Sequence, residues 1–213
     1  MQSAVMPKCL VLAVLAFSAR LAAVTLDITV TDAEQKPLPY TVIELVNSQY
    51  PAAAAPDNAQ VIQQGLNFQP FVSVVAQGSL VEFPNLDKTR HHVYSFSKAK
   101  TFELRLYAGK PEAPVLFDQA GVVTLGCNIH DNMLAYIYVS ASRYTAVTDA
   151  NGQVHFADLP AAEFQLSLWH PWQQQQPDSQ AINLSQGNQQ KQINLNIMQQ
   201  ALPKAPKRGF GDY

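Results

Sequence analysis

Apolar residues in this chain recur at every second position, and no stretch carries the longer period of an amphipathic helix. Val24 to Thr31 alternates Val, Leu, Ile and Val with Thr and Asp, which puts the apolar side chains on one face of an extended strand. Thr41 to Val46 is a second strand rich in β-branched residues. Further strands are predicted at Ala59 to Gln63, Phe71 to Ala76, Leu80 to Phe83, His92 to Phe96, Phe102 to Tyr107, Gly121 to Leu125 and Leu134 to Val139. Turn signals separate them at Gly65, Gln77-Gly78, Pro84-Asn85, Gly109 to Pro111 and Asp118. Later candidates are Val154 to Phe156, Phe164 to Trp169, Ile182 to Leu184 and Ile193 to Ile197. The expected fold is all-β, and short strands at this spacing suggest a β-sandwich.

Some segments stand apart from this rhythm. Pro51 to Pro56 encloses an alanine run and reads as a linker. Gln173 to Gln192 is rich in glutamine and reads as solvated loop and edge strand. Residues 199–213 read as a disordered tail, with Lys, Arg, Gly and Pro gathered after Pro203. Asp149-Ala150-Asn151-Gly152 is a tight turn whose glycine suits a positive φ. Val30-Thr31-Asp32-Ala33 recurs as Val147-Thr148-Asp149-Ala150, each copy at a strand-to-turn junction.

The N-terminus reads as a secretory signal over residues 1–23. Lys8 supplies the positive flank, Leu10 to Phe17 the short apolar run, and Ala19, Ala22 and Ala23 the small residues near cleavage. Export to a periplasmic or secreted location follows as an expectation. Removing Lys8 and Arg20 from 14 basic residues leaves 12 against 16 acidic ones, a balance of -4. Such a balance gives nucleic acid no basic footprint. No later stretch is long and apolar enough to span a membrane. Cleavage also removes Cys9, leaving Cys127 as the single cysteine. A lone thiol in an exported chain needs an occupation, because such thiols tend to be paired or oxidised.

A metal would occupy it. Gly126-Cys127-Asn128-Ile129-His130-Asp131-Asn132-Met133 places cysteine, histidine and methionine at C-x2-H-x2-M spacing. A thiolate, an imidazole and a thioether on one short loop can reach one point, and soft sulfur beside imidazole favours copper. The second imidazole of a His₂Cys plane comes from upstream, where Asp87-Lys88-Thr89-Arg90-His91-His92-Val93 offers two adjacent histidines. Alternation along a strand lets only one of them face the metal. Each residue alone has a plainer reading: Cys127 as a buried apolar residue, Met133 as core filler, the histidines as a solvated strand end.

These segments resemble the cupredoxin family of blue copper proteins, plastocyanin-like and, in loop spacing, amicyanin-like. Phe68-Gln69-Pro70 and Gly78 to Asp87 are similar to the strands leading to the family's first histidine. His91-His92-Val93 is similar to its His-Asn-Val, and Phe117-Asp118 with Gly121 to Leu125 to the strand entering the cysteine loop. The resemblance covers about residues 59–140. It implies a Greek-key sandwich, His91 rather than His92 as ligand, and His91, Cys127 and His130 as the strong plane. Met133 would be the weak axial ligand of one copper cycling between Cu(I) and Cu(II). Two departures stand out: His92 replaces the family's asparagine, and Asn128-Ile129 replaces Thr-Pro or Ser-Pro.

The flanks resemble a different family, the small prealbumin-like sandwich found beside carboxypeptidases. Leu26 to Asp32, Pro37-Leu38-Pro39 and Val42 to Leu45 are similar to its first strands, and Thr148 to Pro160 to its middle turn and strand. The implied layout inserts a copper domain at 59–140 into a second sandwich made of 24–50 and 143–198. Its ends near Val46 and Arg143 would then lie close together.

The leading expectation is a one-electron carrier without catalytic turnover of its own. The resemblance implies a dehydrogenase or cytochrome as redox partner, with a link to methylamine utilisation by analogy. His130 would be the electron port, with Leu134 and Ala135 as apolar surface around it. Copper storage, delivery or sensing through the same ligands is an alternative, and a metal-free binding sandwich is another.

Overall fold

The computed structural model describes residues 23–52, 59–174, 178–185 and 187–204. Residues 1–22 of the expected signal, most of the Pro51 to Pro56 linker, and residues 205–213 of the expected tail lie outside them. The described residues contain no helix, and the all-β expectation holds.

The strands run in order as β1 (Val24–Thr31), β2 (Val42–Val46), β3 (Ala59–Gln60), β4 (Ile62–Gln63), β5 (Phe68–Gln69) and β6 (Val72–Ala76). Then come β7 (Ser79–Glu82), β8 (His91–Ser97), β9 (Lys100–Tyr107), β10 (Val115–Phe117), β11 (Gly121–Cys127) and β12 (Leu134–Ser140). The last five are β13 (Tyr144–Val147), β14 (Gln153–Leu159), β15 (Ala162–Trp169), β16 (Asp178–Leu184) and β17 (Asn188–Asn194).

Two separate cores organise these strands. In the first, the sheet β14-β1-β17 packs on the sheet β13-β2-β15-β16. Val24, Leu26, Ile28 and Val30 of β1 face Ile43, Leu45, Phe164, Leu166 and Leu168. In the second, the sheet β6-β12-β11-β8-β9 packs with the sheet β10-β7-β3 around Phe83, Phe117, Val123, Leu125 and Ile137. Each such side chain taken fully from water contributes about 1.5–3 kcal/mol, so the alternating pattern suffices to set strand faces and register.

The chain passes from the first core to the second and back at one place. Tyr144 pairs with Leu45, Pro51 bridges Ser142, and the Ala52 amide donates to the Ala141 carbonyl at 2.7 Å. The seam between the two sandwiches is a small apolar cluster of Val42, Val72, Tyr138 and Trp169. Beside it, the buried Glu44 carboxylate accepts hydrogen bonds from Tyr138 Oη, Ser140 Oγ and the amides of Ala141 and Ser142 at 2.8–3.0 Å.

The repeated Val-Thr-Asp-Ala is a repeated turn. Asp32 Oδ1 accepts the amides of Glu34 and Lys36, and Asp149 Oδ1 accepts those of Asn151 and Gln153, in the same i+2 and i+4 arrangement. Gly152 has φ +69, and a Cβ there would lie 2.3 Å from the Val30 carbonyl. Only glycine fits, because β1 crosses directly over the turn.

The glutamine-rich stretch forms edge strands, as expected, but with bounds other than its apolar residues mark. It supplies β16 and β17, and β17 pairs in parallel with β1 rather than starting at Ile193. Its outward positions are Gln and Asn, so only Ile182, Leu184 and Ile193 carried an apolar signal. Gln199, at the head of the expected tail, donates to Asp32 Oδ2 and to the Pro37 carbonyl.

Candidate metal centre

The chemistry-bearing residues meet at one end of the second sandwich. His91 opens β8, Cys127 closes β11, and Cys127 pairs directly with Val93 across the two strands. Alternation turns the His91 ring inward, where it is fully buried, and the His92 ring outward, where its Nε2 meets Glu103 Oε1 at 2.8 Å. His130 follows on the loop after β11. Its Nδ1 lies 3.8 Å from Cys127 Sγ, and His91 Nδ1 lies 3.8 Å from the same sulfur. All three donor atoms fall within 4.8 Å of one another. Cys127 is a free, buried thiol. The imidazole rings of His91 and His130 sit edge to face with centroids 5.0 Å apart.

Met133 completes the loop. Its amide donates to the His130 carbonyl at 3.0 Å, and its side chain is buried in the same core as Cys127. The two sulfur residues also line one surface groove with Tyr94, Phe96 and Leu134. The loop is steadied by main chain: the Asn128 amide donates to the His92 carbonyl at 3.1 Å. The bond falls to the carbonyl of residue 92 while the His92 side chain turns away to Glu103. Gly126, one residue before the cysteine, has the Tyr94 ring where a Cβ would stand.

Electrostatics favour a neutral His130 ring. Burial, reinforced by His91, lowers the His130 pKa below its usual value, while Asp87 opposes that shift. Burial pushes the Tyr107 phenol up to about 12, and the neighbouring Cys127 adds to it against a hydrogen bond from Gln63. Two imidazole nitrogens and a thiol converging at one point form a set suited to a soft or borderline metal ion.

Asp87 was not singled out from the sequence, although it stands four residues before His91. Its Oδ2 lies 2.8 Å from His91 Nε2, on the side of the ring away from Cys127. Burial raises its pKa, but hydrogen bonds from His91, Leu66 and Gly65 outweigh that and hold it below the usual carboxylate range. The expected apolar surface around His130 needs correction as well. Ala135 is fully buried in the core, because alternation along β12 turns it inward; Ile129 and Leu86 are the exposed apolar side chains of the neighbouring loops.

No family model matches the chain, and no curated protein matches it in sequence. Similar solved structures do exist. The chain resembles a purple cupredoxin from Nitrosopumilus maritimus at 20% identity and TM-score 0.35, over 38% of this chain and 99% of that one. It resembles amicyanin from Paracoccus versutus at 19% identity and TM-score 0.34, over 46% and 97%. A copper-containing nitrite reductase from Thermus scotoductus is similar at 21% identity and TM-score 0.37, over 52% and 28%. The structural likeness is to cupredoxins. It spans about half of this chain or less.

Proposed function

We propose that this chain is a type 1 copper protein that passes single electrons between redox partners. The observation that carries the reading is the convergence of Cys127 Sγ, His91 Nδ1 and His130 Nδ1 within 4.8 Å, the first two buried and His130 half-buried. The donor set fits copper: the Cys127 thiolate and the His91 and His130 imidazoles would hold the ion, and the buried Met133 would add a weaker thioether ligand. Copper held there supplies a Cu(II)/Cu(I) couple.

The chain's own residues do the rest. His91 and Cys127 are fixed by the pairing of β8 with β11, and His130 and Met133 by the short loop bond between them. Ligands fixed in this way move little when the charge changes, which favours rapid transfer. His130 is half-buried on the loop and offers the shortest route outward, with Ile129 and Leu86 as apolar contact surface for a dehydrogenase or cytochrome. No helix among the described residues is long and apolar enough to cross a membrane, and the N-terminal signal pattern supports export to the periplasm. The two cores support a division into a copper domain at 59–140 and a flanking sandwich from 24–50 and 143–198, with docking as the role of the flank.

The test is a visible absorption titration of the mature protein with Cu(II), beside a Cys127→Ala variant. An intense thiolate-to-copper band that saturates at one copper per chain and vanishes in the variant is expected. Weak absorption unchanged by the substitution would contradict the proposal.

A further inference from the structure

We infer that Asp87 is the positioning residue of the metal centre: its carboxylate sets the His91 ring in the tautomer and orientation that leave Nδ1 free to bind the metal. The inference rests on the copper reading and deepens it.

Three N–H donors converge on this one carboxylate. The Gly65 amide donates to Oδ1 at 2.7 Å, the Leu66 amide donates to Oδ2 at 3.1 Å, and His91 Nε2 approaches Oδ2 at 2.8 Å. A carboxylate is acceptor-only, so the ring nitrogen facing it must be the one that carries hydrogen. In a neutral imidazole the other nitrogen then has a free lone pair. That nitrogen is Nδ1, which faces Cys127 Sγ at 3.8 Å.

Asp87 is itself held from several sides. Its amide donates to Asn85 Oδ1 at 2.9 Å, and Asn85 Nδ2 donates to the Thr89 and Tyr107 carbonyls at 2.9 and 3.0 Å. Tyr107 is the strand partner of His91. The brace therefore runs from β9 through Asn85 and Asp87 to the ring, and from the Gly65-Leu66 turn to the same carboxylate. A ligand histidine oriented by an outer carboxylate is a stronger donor than a free one, and loss of such a partner typically costs about 10–100-fold in metal affinity. Stronger donation stabilises Cu(II) relative to Cu(I), so the carboxylate lowers the reduction potential.

Asparagine at this place cannot serve, although its shape is the same. With one acceptor oxygen against three donors, it must turn its NH₂ toward one of them. Turned toward Gly65, it keeps an oxygen for Leu66 and His91 but loses the Gly65 arm; turned the other way, it meets the Leu66 amide and His91 Nε2 together, so each orientation breaks part of the brace.

The test uses the mature chain with and without Asp87→Asn, read in two ways. Long-range ¹H–¹⁵N spectra of the metal-free protein report the His91 tautomer. Competition of Cu(I) and Cu(II) against a chelator, with voltammetry, reports affinity and potential. The wild type should carry its proton on Nε2. The variant should lose part of the brace, bind copper about 10–100-fold more weakly and show a higher potential, with its other backbone resonances unchanged. A wild-type proton on Nδ1, or a variant with unaltered affinity and potential, would overturn the inference. Should the variant not fold, the wild-type tautomer still decides. A wild type that shows the Nε2–H tautomer but no thiolate–copper band would retire the copper reading and leave the Asp87 brace standing.

Discussion

Two histidines in this molecule are wholly buried, and their surroundings differ in one respect that separates structure from function. His170 sits where the flanking sandwich meets the Pro39 turn. Its Nε2 donates to the Pro39 carbonyl at 3.0 Å, and its Nδ1 accepts the Trp172 amide at 3.2 Å. Both ring nitrogens are used by main chain, and Trp172 stacks edge-on against the ring at 4.8 Å between centroids. His91 has Asp87 on one nitrogen, and its other nitrogen looks toward a thiol and a second imidazole. A closed histidine holds a fold together. A histidine with one nitrogen turned to a thiol and a second imidazole stands where the proposed metal site needs it.

Exchanging the fates of the two histidines is the sharpest way to break that comparison. His91→Ala should abolish the thiolate–copper band and leave cooperative unfolding of the metal-free chain in place. His170→Ala should keep the band and lose about 3 kcal/mol of stability, read by urea unfolding. The reverse pattern would mean that the roles are misassigned.

The seam offers the next effect. Glu44→Ala strands the Ala141 amide and takes one partner each from the Tyr138 hydroxyl, Ser140 Oγ and the Ser142 amide, and should cost about 3 kcal/mol. Copper absorption should not change, since Glu44 belongs to the seam and not to the metal end. A shifted band would show that the two ends of β12 communicate.

Acid sharpens the contrast further. Burial lowers the His170 pKa to about 4 from its ordinary 6.5, against the opposing hydrogen bond to Pro39. The unfolded chain therefore binds the proton first as pH falls. The stabilising contribution is complete above pH 6.5 and is lost between 6.5 and about 4, amounting to about 2 kcal/mol at pH 5. Urea unfolding of wild type and His170→Gln at pH 7.5 and pH 5 should show the gap between them narrowing by that amount. A gap independent of pH would mean that the ring is not held neutral.

The smallest effect lies beside the cysteine. Gly126→Ala puts a methyl 2.8 Å from the Tyr94 ring, so the phenol must swing outward at a cost of about 1–2 kcal/mol. Thermal unfolding should record that loss, with the copper band retained.

Much of this was legible in the sequence, for physical reasons that differ from part to part. The strand carrying Val24 to Thr31 announced itself because its buried positions alternate without a break. The loop carrying Cys127, His130 and Met133 announced itself because local spacing fixes what a short loop can gather. The strands at Asp178–Leu184 and Asn188–Asn194 showed only where Ile182, Leu184 and Ile193 mark them, since their other positions are largely polar. Tyr144–Val147 was missed because its side chains lie half-buried on both faces. The brace on His91 was hidden for another reason. Asp87 is close to His91 in sequence, but its second and third partners, Gly65 and Leu66, come from a turn more than twenty residues away.

The central claim is that His91, Cys127 and His130 gather one copper ion while every other histidine stays out of it. Crystals of the copper-loaded protein, measured on both sides of the copper absorption edge, test this most directly. The account expects a single anomalous peak between Cys127 Sγ, His91 Nδ1 and His130 Nδ1. A principal peak at His92 and Glu103, at His155 and Asp27, or no ordered peak at all would contradict it.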